Sequence, residues 1–220
     1  MLSELTSFAM IALRSRDEAR KDAQPVAQSL VARVKSGDTQ AFEELFIRYQ
    51  RQVMRTASRL LGNVEDAGDA TQEVFLRLHK YLHRFDEERE FSPWLYQVTV
   101  NVCREIATKR PGHQMLSLDQ EQERGALDHL ASTHNQEQEF GAAQERQMIA
   151  DAIASLPEKE RAALVLRDLE GLDTSEVARL LGSTETTIRS QISMARVKIK
   201  KFRDKWLGKT GFGQSEGRLR

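Results

Sequence analysis

The sequence predicts an all-α fold: two small helical domains joined by a flexible linker, the C-terminal one containing a helix-turn-helix. Three observations carry this. Apolar residues recur at three- and four-residue steps over most of the chain, and no segment sustains the two-residue alternation of a strand. Gly and Pro are scarce, 12 and 4 in 220 residues, which suits long helices with few turns. One stretch, 111–141, lacks apolar periodicity and divides the chain in two.

Taken in order, residues 1–25 form an N-terminal extension. LTSFAMIAL at 5–13 is partly apolar, but no basic stretch precedes it and RSRDEARKD follows, so it does not read as a secretory signal. Helical periodicity begins near Val26. Phe42, Leu45, Phe46, Tyr49, Val53, Ala57 and Leu60 make one apolar stripe on a helix that ends near Gly62-Asn63, a C-cap signal. A second helix runs from about Glu65 to Leu82, with Ala70, Val74, Leu78 and Leu82 on one face. A third runs from Pro93, a good first-turn residue, to about Arg110. Leu95, Val98, Val102 and Ile106 are its stripe, and Pro111-Gly112 stops it.

These helices make a first domain over 26–110. The linker that follows carries six acidic side chains and one Arg between 113 and 140. A second domain spans 142–207. Pro157 opens a helix that Gly171 ends; Asp173 and Glu176 suit a capping box for a short helix through Leu181. Gly182-Ser183 turns the chain, and a long helix runs from Thr184 to about Trp206. Residues 208–220 are a C-terminal tail.

Charge balance excludes a uniformly basic nucleic-acid coat, since Lys plus Arg and Asp plus Glu are both 33. Locally segregated charge remains open. One cysteine, Cys103, forbids an internal disulfide and points to a reducing, cytoplasmic location. No apolar run is long enough for membrane insertion. Enzymatic constellations are poor. His79 and His83 stand four apart with no third ligand evident, no phosphate-binding Gly loop exists, and Cys103 reads as a packed thiol. The chain is not expected to be an enzyme or to need a cofactor or metal.

Residues 173–203 are the clearest chemical signal. A capped helix, a Gly turn and a longer helix make a helix-turn-helix. On the last helix Ile188, Ile192, Ala195, Ile199 and Phe202 share one side and should pack inward. Thr186, Arg189, Ser190 and Ser193 lie on the other side of its N-terminal half, the half that enters the major groove in this motif, with Thr184 at its start. Arg reaches guanine edges, and Ser and Thr reach bases or phosphates. Between Arg189 and Lys205 seven basic residues, Arg196 and Lys200 among them, face one acid, Asp204. That is a phosphate-contact footprint hidden in a neutral total.

The third helix of the first domain carries a polar stripe: Gln97, Asn101, Arg104 and Thr108, bordered by Trp94. Amides, a cation and an aromatic together can hold unpaired bases, although such a stripe taken alone is more often the wet face of a helix. The second helix has a mixed outer face of Asp69, Gln72, Glu73, Leu76 and Lys80. Leu76 among acids is either a partner-binding surface or one stray apolar residue.

Together these residues resemble bacterial sigma-70-type initiation factors of the small, two-domain extracytoplasmic-function (ECF) class. The matching stretches are VARVKSGDTQAFEELFIRYQ, DATQEVFLRLHKYLHRF, FSPWLYQVTVNVCREIATKR and LPEKERAALVLRDLEGLDTSEVARLLGSTETTIRSQISMARVKIKK. They cover roughly 26–110 and 142–202 in the family's order. The resemblance implies a subunit that binds core RNA polymerase, reads promoter DNA and melts it, with an anti-sigma factor as a further partner. By position, the first domain is a region 2-like unit reading the minus-ten element. Its loop from Phe85 to Ser92 matches the loop that captures a flipped base, with Asn101 below it. The Asp69–Leu76 face matches the helix that docks on the largest polymerase subunit. The second domain is a region 4-like unit that reads the minus-thirty-five element through Arg189 and Ser190, with Arg196 and Lys200 on phosphates.

Four departures stand out. The capture loop reads DEERE, Gln191 and Met194 replace residues that are often Arg, Gly68 replaces an acid, and CREIATKR is less basic than usual. The alternative class is a helix-turn-helix regulator that is not a polymerase subunit. Such proteins usually carry an upstream strand-helix sensor, and no strand pattern is present here. A helical adaptor would leave the basic recognition helix unexplained. The acidic linker also admits two roles, a passive spacer or a mask that competes with phosphate for the basic faces within a Debye length of about 8–10 Å.

Overall fold

A computed structural model describes residues 24–109 and 136–210, with side chains from 144 to 208 in the second span. The N-terminal extension, most of the linker and the C-terminal tail lie outside the described residues. Within them the fold is all-α. The elements are α1 (24–35), α2 (Thr39–Leu61), α3 (Val64–Tyr81), a 3-10 turn (Leu82–Arg84) and α4 (Phe91–Lys109) in the first domain. The second has α5 (Gln136–Ala154), α6 (Glu158–Leu164), a π-helical turn (Val165–Leu169), α7 (Thr174–Leu181) and α8 (Glu185–Thr210).

The periodicity that starts at Val26 is divided between two helices. Gly37 takes φ 95°, and Asp38 caps α2 by accepting from the Ala41 amide at 3.1 Å. A left-handed glycine followed by an Asp cap ends one helix and starts another, whatever the apolar pattern across it. Gly62, at φ 75°, repeats the device, and Asn63 caps α3 through the Asp66 amide at 2.8 Å. The first domain closes over Val31, Leu45, Val53, Val74, Leu78, Phe91 and Leu95, all essentially inaccessible. Phe46 departs from the predicted stripe: it is 37% exposed, with its ring edge-on to Phe75 at 4.6 Å between centroids.

In the second domain, α5 starts at Gln136, six residues earlier than expected and inside the stretch read as linker. Gln, Glu and Ala have good helix propensity, so an acidic composition did not preclude a helix there. The helix opened by Pro157 loosens after Leu164: the Glu170 amide donates to the Val165 carbonyl at 2.9 Å, one residue further back than in an α-helix. The expected capping box is present, with the Asp173 amide donating to Glu176 Oε2 at 3.0 Å. Gly182 makes the turn at φ 62°. Ile188, Ile192 and Ala195 are buried as predicted, while Ile199 and Phe202 are only half-buried. Lys198 Nζ ties α8 to the largely buried Glu160 of α6 at 2.8 Å.

The two domains pack on each other. Tyr96, Val100, Cys103 and Ala107 give α4 a second apolar face, stepping by four, three and four residues. Val100, Cys103 and Ala107, with Leu60 and Leu61 of α2, line a shallow cleft closed by Glu158, Ala162 and Leu181 of the second domain. Beside it stands a polar bridge. Glu170, its side chain 7% exposed, accepts from Arg59 Nη1 at 2.8 Å and from the Tyr96 hydroxyl at 3.0 Å. Arg161 Nη1 donates to the Ala154 carbonyl at 3.0 Å, near Gly62.

Cys103 is 3% exposed at this seam, and burial pushes its thiol up to about 12. The single cysteine is therefore a built-in reporter of domain separation. In the free protein it should react with a thiol reagent at pH 8 far more slowly than a small-molecule thiol. Removing both charges of the bridge, Arg59→Ala with Glu170→Ala, leaves no stranded ion. If the bridge contributes about 1.4 kcal/mol to closure, labelling should speed up about tenfold with unchanged helicity. Wild-type labelling in the double variant would mean that the bridge does not hold the domains together.

Candidate nucleic-acid interface

Helix α4 has a third face. Gln97, Asn101, Arg104 and Thr108 all stand exposed along it, as their spacing predicts. Thr108 Oγ1 donates back to the Glu105 carbonyl at 2.9 Å, so that hydroxyl proton is already used. Trp94 borders the stripe half-buried, its ring 4.9 Å from Phe85 and 5.9 Å from Phe91 between centroids. Phe85 itself is only 5% exposed. Its ring packs edge-on against Phe91 at 5.9 Å, so Phe85 belongs to the core at the foot of the loop. An aromatic at the foot of a loop gains more from burial among other rings than from water.

Beyond Phe85 the acidic loop, residues 86–90, is exposed throughout. It turns tightly: the Arg89 amide donates to the Asp86 carbonyl at 3.0 Å, and the Glu88 amide to Asp86 Oδ1 at 3.1 Å. Two of its acids are neutralised, Asp86 by Arg89 at 3.4 Å and Glu87 by Lys35 at 2.7 Å.

On α3, Asp69, Gln72 and Leu76 are exposed, Leu76 to 66%. Glu73 is half-buried and accepts from Arg77 Nε at 2.7 Å. The same guanidinium grips Glu105 of α4 with two nitrogens, at 2.7 and 2.6 Å. The two carboxylates raise Arg77 above its ordinary value, and Arg77 holds Glu105 below the usual carboxylate range. Arg77 thus braces α3 against α4 beside the exposed leucine. His79 and His83 do not converge: His79 packs edge-on to Phe42 at 5.1 Å, and His83 Nε2 accepts from Arg84 at 3.2 Å.

On α8, Thr186, Arg189, Ser190, Ser193, Arg196 and Lys200 are exposed, Arg196 on the flank next to Ile192 and Thr186, Ser190 and Ser193 on the side away from it. Thr184 lies just before the helix and caps it, accepting from the Thr187 amide at 3.2 Å. Two of the cations have acidic partners within their own domain. Arg189 pairs with Glu185 one turn back at 2.6 Å. Arg196 meets Asp168 of the π-helical turn with two nitrogens, both at 2.8 Å, and its pKa is raised by that contact. Met194 and Val197 are 45% and 53% exposed beside them.

Tyr96, Arg59 and Glu170 stand outside the predicted stripes. The four-three-four step of Tyr96, Val100, Cys103 and Ala107 is a legible signal for the seam. Nothing local marks Arg59 or Glu170, whose partnership spans 111 residues.

The arrangement defines a class: a two-domain helical protein with a helix-turn-helix in one domain and an exposed polar stripe on the other. Comparison with known proteins narrows it. Residues 45–110 match the model of Sigma-70 region 2, and residues 146–199 match that of Sigma-70, region 4. The ECF RNA polymerase sigma-E factor of Escherichia coli (strain K12) is 34% identical over 178 residues, covering 78% of this chain and 91% of that protein. Its Haemophilus influenzae counterpart is 31% identical over 175 residues, covering 78% and 92%. Among solved structures, the sigma factor RpoE in complex with the anti-sigma factor NepR from Bartonella quintana aligns with a TM-score of 0.59 at 19% identity. It covers 74% of this chain and 96% of that one, a likeness of fold. The chain belongs to the sigma-70 family, in its ECF class.

Proposed function

We propose that this protein binds core RNA polymerase, directs it to specific promoters and helps melt the DNA there. The observation that supports this reading is a pair of exposed surfaces in one chain, the polar stripe of α4 and the basic outer side of α8. A regulator acting through its helix-turn-helix alone would use the second and leave the first, and the exposed Leu76, without a purpose. In this reading Trp94, Gln97, Asn101, Arg104 and Thr108 engage the opened minus-ten strand, with the loop after Phe85 receiving a base. Arg189 and Ser190, with Thr184, Thr186 and Ser193, read the minus-thirty-five element, and Arg196 and Lys200 take phosphates. No metal or cofactor enters. An anti-sigma factor is a further partner, as in the complex formed by the Bartonella relative. Among the described residues no helix is long and apolar enough to cross a membrane.

Two elements centred about 25 base pairs apart are separated by about 85 Å at 3.4 Å per pair. A compact body of about 160 residues has a radius of gyration of about 15 Å, hence a width of about 40 Å. The closed protein therefore cannot engage both. Docking on polymerase supplies the differential binding energy that separates the domains.

Leu76→Ala with Glu73→Ala should release the protein from core polymerase while helicity is kept, since truncating a central interface residue often costs on the order of 2 kcal/mol. Retention of that double variant on core enzyme at wild-type level would count against the α3 face.

Arg189→Ala should cost roughly 1–3 kcal/mol on the preferred promoter and relax one upstream position. Lys200→Ala should weaken all promoters alike. Uniform weakening by Arg189→Ala in run-off transcription would assign that side chain to phosphate instead.

A further inference from the structure

The acidic loop has no regular secondary structure, yet one helix grips it along its length. Gln24, Gln28 and Lys35 of α1 are spaced by four and seven residues and so share one helix face. All three reach residues 85–91. Lys35 Nζ donates to the Phe85 carbonyl at 3.0 Å and to Glu87 Oε1 at 2.7 Å. Gln28 Nε2 donates to the Glu87 carbonyl at 3.2 Å. Gln24 accepts from the Phe91 amide at 3.3 Å and directs Nε2 to the Arg89 carbonyl at 3.5 Å. Four of these five contacts go to backbone, so they hold the shape of the loop rather than any one of its side chains. Ala27, Leu30 and Val31 bury the adjacent face of α1 in the core, which fixes the helix that does the holding.

We propose that Gln24, Gln28 and Lys35 are positioning residues for base recognition: α1 sets the loop in one shape, and that shape decides which base the loop accepts. The inference rests on the reading of this loop as the minus-ten base receptor. A receptor formed before the base arrives rejects poor fits, whereas a slack loop reshapes itself around several bases and loses discrimination. Charge acts the same way. Four of the five residues of the segment Asp86–Glu90 are acidic, and a slack acidic loop would swing away from phosphates. Lys35 cancels Glu87 and pins the loop at its entrance, so that Glu88 stands exposed at the turn.

The test uses the full chain assembled with core polymerase. Promoters altered one base at a time through the minus-ten element are scored for open-complex formation. The variants are Gln28→Ala, Lys35→Met, which keeps the aliphatic stem, and Lys35→Arg, which keeps the charge. A loop variant with residues 86–90 replaced by Gly and Ser is the control. At one minus-ten position, Gln28→Ala and Lys35→Met should lower the preference between best and worst base by roughly fivefold or more, the scale of a lost base contact. Other positions and core affinity should hold, and Lys35→Arg should restore the preference. The loop replacement should flatten the same position. If the loop replacement flattens a position and the α1 variants do not, the loop reads a base and α1 does not position it. Equal loss by the α1 variants at every position would also overturn the proposal. If the loop replacement leaves every preference intact, the reading of the loop fails and the proposal falls with it.

Discussion

Helix α4 buries two of its faces and keeps the third in water, and most of the molecule's arrangement follows from that division. Leu95 and Val102 seal the first domain. Tyr96, Val100 and Cys103 turn toward the second. What is left of the circumference is a narrow strip, and the polar side chains Gln97, Asn101, Arg104 and Thr108 occupy it. A helix buried on two sides cannot rotate to hide or reveal its third face. The stripe is therefore held in one orientation on the surface. The aromatic cluster at its start serves the same end. Tyr49, Phe85, Phe91 and Trp94 lie ring against ring at 4.9–5.9 Å. Both ends of the acidic loop are thereby anchored in the core while its middle stays in solvent.

The seam between the domains is built differently from the cores it joins. Its apolar part is a shallow cleft, and its polar part is one largely buried carboxylate shared by a guanidinium and a phenol. A buried charge with both partners in place contributes only modestly to net stability, because desolvation offsets much of the attraction. Stripped of one partner it is strongly destabilising. Such a bridge selects one mutual arrangement of the domains without binding them tightly. Interfaces of this kind between domains of one chain are the ones that open when a larger partner competes for them. A polar bridge thus sets how the domains meet while leaving them separable.

The first-domain helices, the capping box and the inward and outward sides of α8 were all legible, because amphipathic helices write their buried face into a three- and four-residue rhythm. The exposed stripe of α4 and the exposure of Leu76 were legible for the same reason. The burial of Phe85 was not: its neighbours in space, Phe91 and Trp94, decide it. The break at Gly37 was hidden by apolar residues that continue on both sides of it. The start of α5 was hidden by a composition that suits both a solvated tether and a helix. The contacts of α1 with the acidic loop, and of Glu170 with Arg59 and Tyr96, join residues 50 to 111 positions apart. No local rhythm encodes pairs at that separation.

Charge explains how a neutral protein can present surfaces for DNA. On α8, the cations best placed for contact are not idle: Glu185 holds Arg189, and Asp168 holds Arg196. The Arg189 pair is 64% and 46% exposed and sits in high dielectric, where an ion pair contributes about 0–1 kcal/mol, whereas Arg196 grips the 22% exposed Asp168 with two nitrogens. A phosphate brings a full charge, and its binding releases condensed counterions from the duplex, a gain that an exposed carboxylate does not offer. Exchange of carboxylate for phosphate or base is therefore favourable at low cost. The zero net charge and the basic outer side of α8 are thus compatible, since acids of the same domain offset Arg189 and Arg196.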